Sequence, residues 1–236
     1  MSDLERPETA TMEPEIDVVI PVRYGVGYLP QALQSVAAQA ADARVVVVDD
    51  GAEADLPSLV EAGIAPEVRQ VPVEIVENAG RPGIGGGRNT GVALGSAPYV
   101  AFLDADDLWP AERTTVLSRL LEGIEPPAMA FGMVEQFVDN GLTEDQLPEA
   151  PRPGMVAGGM LITRSTWDLV GPFDDELPVG EFIDWVARAR SAGVGEALSD
   201  ELVLRRRIHG DNTTLHRRND HRAYADVIRR HLRRRS

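Results

Sequence analysis

The apolar positions of this chain fall into short, nearly continuous runs, separated by stretches in which they recur every three or four residues. Ile16-Asp17-Val18-Val19-Ile20-Pro21 has the β-branched character of a buried strand, and Arg44–Val48, Val73–Val76 and Tyr99–Leu103 repeat it. Between them, Tyr28–Ala41 places Leu29, Ala32, Leu33, Val36 and Ala37 at helical spacing, and Leu56–Gly63 and Gly85–Gly95 read as further helices. Strands without polar alternation, each followed by a helix, predict a parallel sheet covered on both faces. The second half is looser. The pattern predicts a helix from Pro110 to Gly123, a strand over Met129–Phe137, and a polar loop with Pro148, Pro151 and Pro153. An apolar run at Met155–Thr163, helices at Ser165–Val170 and Val179–Ala192, and a short strand at Leu202–Leu204 follow.

In such sheets ligands bind beyond the carboxyl ends of the strands. The unusual residues fall there: Pro21 and Arg23 after the first strand, Asp49 and Asp50 after the second, Asn78 after the third, Asp104 and Asp106 after the fourth. Asp104 and Asp106, two apart at a strand end, point to one side. Two unit charges 4 Å apart repel by about 4 kcal/mol at an effective dielectric near 20. A divalent cation held against a diphosphate would reverse that sign, and oxygen ligands suit Mg²⁺ or Mn²⁺. On these residues alone a second reading is open, in which Asp104 to Asp107 cap the helix that starts near Pro110.

Composition removes several classes. The chain of 236 residues has no cysteine, and all 23 of its basic residues are arginine. Thiol nucleophiles, Cys-ligated zinc, a P-loop lysine and a Schiff-base lysine are therefore excluded. Phosphate must be met by arginine, backbone N–H groups or a metal. The net charge of −15 is uneven. Residues 204–236 carry 11 arginines against Asp211, Asp220 and Asp226, whereas residues 1–203 carry 12 against 35 acids. An acidic body argues against nucleic acid as a partner. No stretch reaches the length of a membrane span, and Met1-Ser2-Asp3-Leu4-Glu5 has neither the basic start nor the apolar core of a signal peptide, so a cytoplasmic chain is expected.

Five motifs, Ile-Pro-Val at 20–22, Val-Val-Asp-Asp-Gly at 47–51, Glu-Asn-Ala-Gly at 77–80, Gly-Arg-Asn-Thr-Gly at 87–91 and Phe-Leu-Asp-Ala-Asp-Asp at 102–107, resemble those of family 2 glycosyltransferases in order and spacing. Gly158–Leu161 and Val170–Asp174 resemble that family's acceptor-side segments, so the resemblance runs from Ile16 to Asn212. It implies the α/β GT-A fold: a Rossmann-like, mostly parallel sheet with helices on both faces and a C-terminal acceptor-side extension. The expected organisation is a flexible leader (1–14), a glycosyltransferase domain (15–215) with a nucleotide-sugar half to about 110 and an acceptor half from about 111, and an Arg-rich C-terminal helix (216–236).

The resemblance further implies a nucleotide-diphosphate sugar donor, most commonly of UDP, a divalent metal (Mn²⁺ or Mg²⁺) and inversion at the anomeric carbon. By position, Pro21, Arg23, Asp49 and Asp50 would hold base and ribose, with Asn78, Gly80 and Ala105 counted in the same nucleotide-sugar site. Arg88 would approach the nucleotide or its phosphates, Asp104 the ribose or metal, and Asp106 would ligate the metal. Three departures stand out. Arg23 occupies the place of the usual tyrosine, and Gly85-Gly86-Gly87 replaces alanines, which suggests a helix start offering N–H groups to an anion. Phe182 occupies the place of the aspartate in the family's catalytic Glu-Asp pair. Glu181 is then the first candidate for the base and Asp184 the second.

The family often carries a histidine at the place of His209, closing over the diphosphate or ligating the metal, and Arg205 or Arg207 are the candidates to clamp phosphate. The tail helix has three open readings: docking on the acidic body, homodimerisation, or peripheral contact with an anionic membrane at its inner face. The acceptor, whether glycan, lipid-linked, peptide or small molecule, is unspecified by these motifs. A nicotinamide dehydrogenase is excluded, because the glycines at 83, 85, 86 and 87 follow the third strand and fail the dinucleotide spacing. The rival is a nucleotide-sugar-binding module without efficient catalysis, motivated by Phe182.

Overall fold

A computed structural model of the chain describes residues 14–64, 71–138, 147 and 150–209. The expected leader, apart from Pro14, and the whole Arg-rich C-terminal helix lie outside the described residues. Eight strands form one sheet: β1 (Ile16–Val22), β2 (Ala43–Asp49), β3 (Val73–Glu77), β4 (Tyr99–Phe102), β5 (Ala128–Val138), β6 (Arg152–Gly154), β7 (Leu161–Thr163) and β8 (Gly195–Ile208). Among the described residues six α-helices accompany them: α1 (Leu29–Ala37), α2 (Leu56–Gly63), α3 (Ile84–Ala93), α4 (Arg113–Glu122), α5 (Arg164–Val170) and α6 (Glu181–Ser191).

The strand order is β3-β2-β1-β4-β7-β5-β6, with β8 on the other edge of β5. The first four strands are parallel, β7 runs antiparallel between β4 and β5, and β8 runs parallel to β5. The two-residue period of a strand explains the layers. Val18 and Ile20 of β1 join a core with Leu29, Leu33, Val36 and Leu56 on one face, whereas Val19 joins Val92, Phe102, Phe173 and Trp185 on the other. The described residues therefore form one mostly parallel sheet with a core on each face, the α/β arrangement expected from the sequence.

Helix α3 shows why the glycines are where they are. A Cβ on Gly91 would stand 2.3 Å from Val19 Cγ1, one on Gly87 3.0 Å from Pro21 Cβ, and one on Gly86 2.0 Å from the Arg81 carbonyl oxygen. The helix lies directly on the end of β1, which brings its N-terminus to the strand ends. The strand expected at Leu202–Leu204 is in fact the last part of β8, which begins at Gly195. Its first half pairs with β5 alone at the sheet edge, so Glu196, Leu198, Asp200 and Glu201 stay exposed and the segment carries no apolar signature.

Candidate functional site

A cleft of about 570 Å³ opens at the carboxyl ends of β1, β2 and β4, over the start of α3. Pro21, Arg23, Asp50, Asp104, Ala105 and Asp106 all line it, as do Gly83 and Gly85 at the N-terminus of α3. Asp50 and Asp106, 56 positions apart in the chain, thus face one space. Asp50 is anchored from three directions: Asn78 Nδ2 donates to it at 2.6 Å, Gly83 N at 2.9 Å, and the Arg23 guanidinium lies at 3.5 Å. Gly83 holds φ of 135°, open to glycine, and this turns its N–H toward Asp50.

Four expected nucleotide contacts have a different placement. Asp49 Oδ1 accepts from the N–H groups of Gly51 and Ala52, so this carboxylate closes the turn after β2. Asn78 donates to Asp50 and to the Arg81 carbonyl while its Oδ1 accepts from Gly80 N and Thr90 Oγ1. Asn78 and Gly80 hold the β3–α3 loop in shape, and neither lines the cleft. Arg88, expected at the phosphates, is buried beneath it. Its Nη1 donates to Glu181 Oε1 at 3.0 Å and its Nη2 to Asp104 Oδ1 at 2.9 Å, with the Phe102 and Phe173 rings against its guanidinium.

Glu181, at the first position of α6, does not line the cleft either but lies behind its wall: a Cβ on Gly85, which does line it, would stand 3.5 Å from Glu181 Cγ. Asp184 is buried, and its carboxylate accepts from Arg188 Nε at 2.8 Å, one turn on. Arg188 in turn donates to the carbonyls of Val170 and Pro172, so Asp184 anchors α6 to the loop after α5 and does not line the cleft. Phe182 turns away, edge-on to Phe131 of β5 at 6.4 Å.

The acidic end of β4 is electrostatically crowded. Asp104 is about a third exposed at its side chain, Asp106 less, and Asp107 is buried. Burial and the charge of Asp104 raise the Asp106 carboxyl above the ordinary range. Burial, then Asp104 and Asp106, push Asp107 well above it. Asp107 accepts from Arg207 N, and His209 Nε2 meets Asp106 Oδ2 at 2.9 Å. The 2.9 Å contact of Asp106 and His209 is a hydrogen bond, and the carboxylate oxygen and imidazole nitrogen that make it are both ligand types a divalent cation takes. Among the described residues no three acidic or histidine side chains close round an ion by themselves. The set fits a cation whose remaining ligands come from phosphate oxygens and water.

The arginines of β8 differ from expectation in parity. Arg205 pairs with Glu135 at 2.6 Å and lies over Phe137. Arg207 is buried, over the Tyr28 ring, with its Nη2 on Gln31 Oε1 at 2.6 Å. Arg206, between them, lines the cleft, together with Arg81 and the Asp175–Pro178 loop. The alternation of a strand is a correct guide to faces, but the sequence alone does not tell which face is inward.

Known proteins resemble this chain in sequence or in fold. The pre-mycofactocin glycosyltransferase of Mycobacterium tuberculosis is 27% identical over 205 residues, which span 80% of this chain but 42% of that protein. The succinoglycan biosynthesis protein ExoU of Rhizobium meliloti is 26% identical over 209 residues, 78% of this chain and 59% of its own length. The chain thus spans about half the length of these curated relatives. Among solved structures, the mannosyltransferase PcManGT of Pyrobaculum calidifontis, in complex with GDP-Man and Mn²⁺, superposes with a TM-score of 0.65 at 19% identity, over 93% of this chain and 65% of that one. TarS 1–349 of S. aureus, in complex with UDP, gives 0.62 at 17% identity, over 82% and 60%. Residues 17–172, from β1 to the loop after α5 and including every acid of the cleft up to Asp107, match Glycosyl transferase family 2, and the chain belongs to that family.

Proposed function

We propose that this protein transfers a sugar from a nucleotide-diphosphate sugar to an acceptor hydroxyl with inversion, using a divalent cation. The observation that carries the reading is the meeting of Asp50, Asp104 and Asp106 in one cleft that also receives Arg206 and the N-terminus of α3. In this reading the base and ribose lie against Pro21, Arg23 and Asp50. The diphosphate lies between Arg206 and the first N–H groups of α3, where the helix terminus favours an anion. Asp106 and His209, with Asp104 beside them, hold Mn²⁺ or Mg²⁺, which would neutralise charge that builds on the leaving diphosphate. The relatives solved with UDP, or with GDP-Man and Mn²⁺, support a donor and a cation of this class.

The reaction then asks for a carboxylate on the far side of the anomeric carbon. Glu181 is the carboxylate proposed for this role: its Oε1 is fixed by Arg88, and it stands directly behind Gly85 of the cleft wall. It takes the proton of the acceptor hydroxyl as the hydroxyl oxygen bonds to the anomeric carbon. The bond from that carbon to the diphosphate oxygen breaks, and the nucleoside diphosphate departs with the electron pair. Arg88, joined to both Glu181 and Asp104, fixes the base relative to the acidic end of β4.

Phe182 favours one alternative, a nucleotide-sugar-binding module that turns over slowly, since an apolar ring packs on Phe131 where the family places its aspartate. Transfer and donor hydrolysis across UDP- and GDP-sugars, with Mn²⁺ or with chelator, separate the two. We expect Mn²⁺-dependent turnover that Glu181→Gln lowers at least 100-fold with donor affinity within about twofold, the scale of a lost general base. Equal loss of turnover and affinity would give Glu181 a structural role, and donor binding without turnover in the unmodified protein would establish the alternative.

A further inference from the structure

Sheet pairing of β8 ends at Ile208, so the ring of His209 lies one residue beyond the strand ladder and its direction is set by side chains. One of these is Tyr28, which closes the turn at Val26–Tyr28 leading into α1. Its ring stands 5.1 Å from the His209 ring at 50°, and 4.2 Å from the Arg207 guanidinium. Arg207 is fixed in turn, donating from Nε to the Asp106 carbonyl at 2.9 Å and from Nη2 to Gln31 Oε1 at 2.6 Å. The same loop approaches the acid directly: a Cβ on Gly25, where φ is 65°, would stand 3.2 Å from Asp106 Cβ. The start of α1 and the end of β8 therefore clasp Asp106 between them, with the Tyr28 ring in contact with both residues of β8 that reach it.

We propose that Tyr28 is a positioning residue that sets His209 against Asp106, and that its aromatic ring, through this contact, determines how tightly the cleft holds a divalent cation. The inference rests on the reading of the cleft as a cation site. An aromatic face packs on a guanidinium and on an imidazole without competing for the nitrogen that meets Asp106, and an aliphatic side chain supplies neither interaction. Groups that orient a metal ligand change metal affinity by about 10- to 100-fold when removed.

The test is Mn²⁺ titration of the full chain, read by electron paramagnetic resonance of free Mn²⁺ in the presence of UDP or of GDP, with melting temperature recorded alongside. Tyr28→Phe should bind Mn²⁺ within about twofold of the unmodified protein, because the ring is kept. Tyr28→Leu, and Tyr28→Met as the variant closer in length, should weaken Mn²⁺ by about tenfold or more. His209→Ala should lose a similar factor, and adding Tyr28→Met to it should cost little further, since both act through one ligand. Unchanged Mn²⁺ affinity in a folded Tyr28→Met or Tyr28→Leu protein, or losses that multiply in the double variant, would overturn the proposal. Asp106→Asn is the control for the underlying reading: if it too leaves Mn²⁺ affinity unchanged, the cation site itself is wrong, whereas loss there with retention in the Tyr28 variants refutes the positioning role alone.

Discussion

Asp107 is the acid that the fold accommodates least comfortably. It is buried, beside Asp104 and Asp106, and its carboxyl is held well above the ordinary range by burial first and by those charges second. An acid whose pKa is higher in the folded than in the unfolded chain favours folding while protonated. That contribution is complete below the unfolded value and is lost as pH rises through the raised one. Asparagine keeps an oxygen for the Arg207 N–H and carries no charge. Asp107→Asn should therefore melt higher than the unmodified protein at pH 8 in the presence of chelator, with the difference shrinking toward pH 4; a difference independent of pH would contradict the account. The same crowding is what the proposed cation would relieve. At this scale the sequence was legible in residue type more than in direction. The acids after β1, β2 and β4 stand at the expected sheet edge, yet Asp49 turns back into its own loop and Arg88 sinks beneath the cleft. Asp49 takes a local alternative, the N–H groups two and three residues on, whereas Arg88 depends on a partner supplied from elsewhere, Glu181, 93 positions away.

Among the elements, α3 has the least ordinary composition, Ile-Gly-Gly-Gly-Arg-Asn-Thr-Gly-Val-Ala. Glycine in a helix interior costs about 1 kcal/mol against alanine, so its repeated use needs a compensating contact. The contact is close approach to β1. Gly91→Ala would gain helix propensity but drive a methyl to 2.3 Å from Val19 Cγ1, and overpacking of a filled core costs about 1–3 kcal/mol. Urea unfolding should show a net destabilisation; a variant as stable as the unmodified protein would mean that α3 does not need to lie so near the strand. The parallel half of the sheet was readable because β1, β2 and β4 are buried on both faces and carry continuous apolar runs, and edge strand β3, though half-exposed, keeps the β-branched Val73, Ile75 and Val76. The first half of β8 was not, because an edge strand with Glu196, Asp200 and Glu201 exposed has no such run, and its pairing with β5 is a long-range fact. The wrong parity of the β8 arginines follows from the same ignorance: once the strand is seated on β5, Arg206 faces the cleft while Arg205 and Arg207 lie against Phe137.

For the whole molecule, the acidic body and the cleft are one electrostatic object. Residues 1–203 carry a large excess of acids, and several of them converge where a diphosphate, itself anionic, is proposed to bind. Arg206 and the α3 terminus offset part of that charge, and the proposed divalent cation would supply the remainder. Membership of Glycosyl transferase family 2 and the shared fold agree with this arrangement. Calorimetric titration of UDP- and GDP-sugars into the unmodified protein and into Asp106→Asn, each with Mn²⁺ and with chelator, tests the convergence most directly. The account predicts donor binding that requires Mn²⁺ and is weakened at least tenfold by Asp106→Asn at unchanged melting temperature. Donor binding of equal strength in chelator, or in Asp106→Asn, would contradict it.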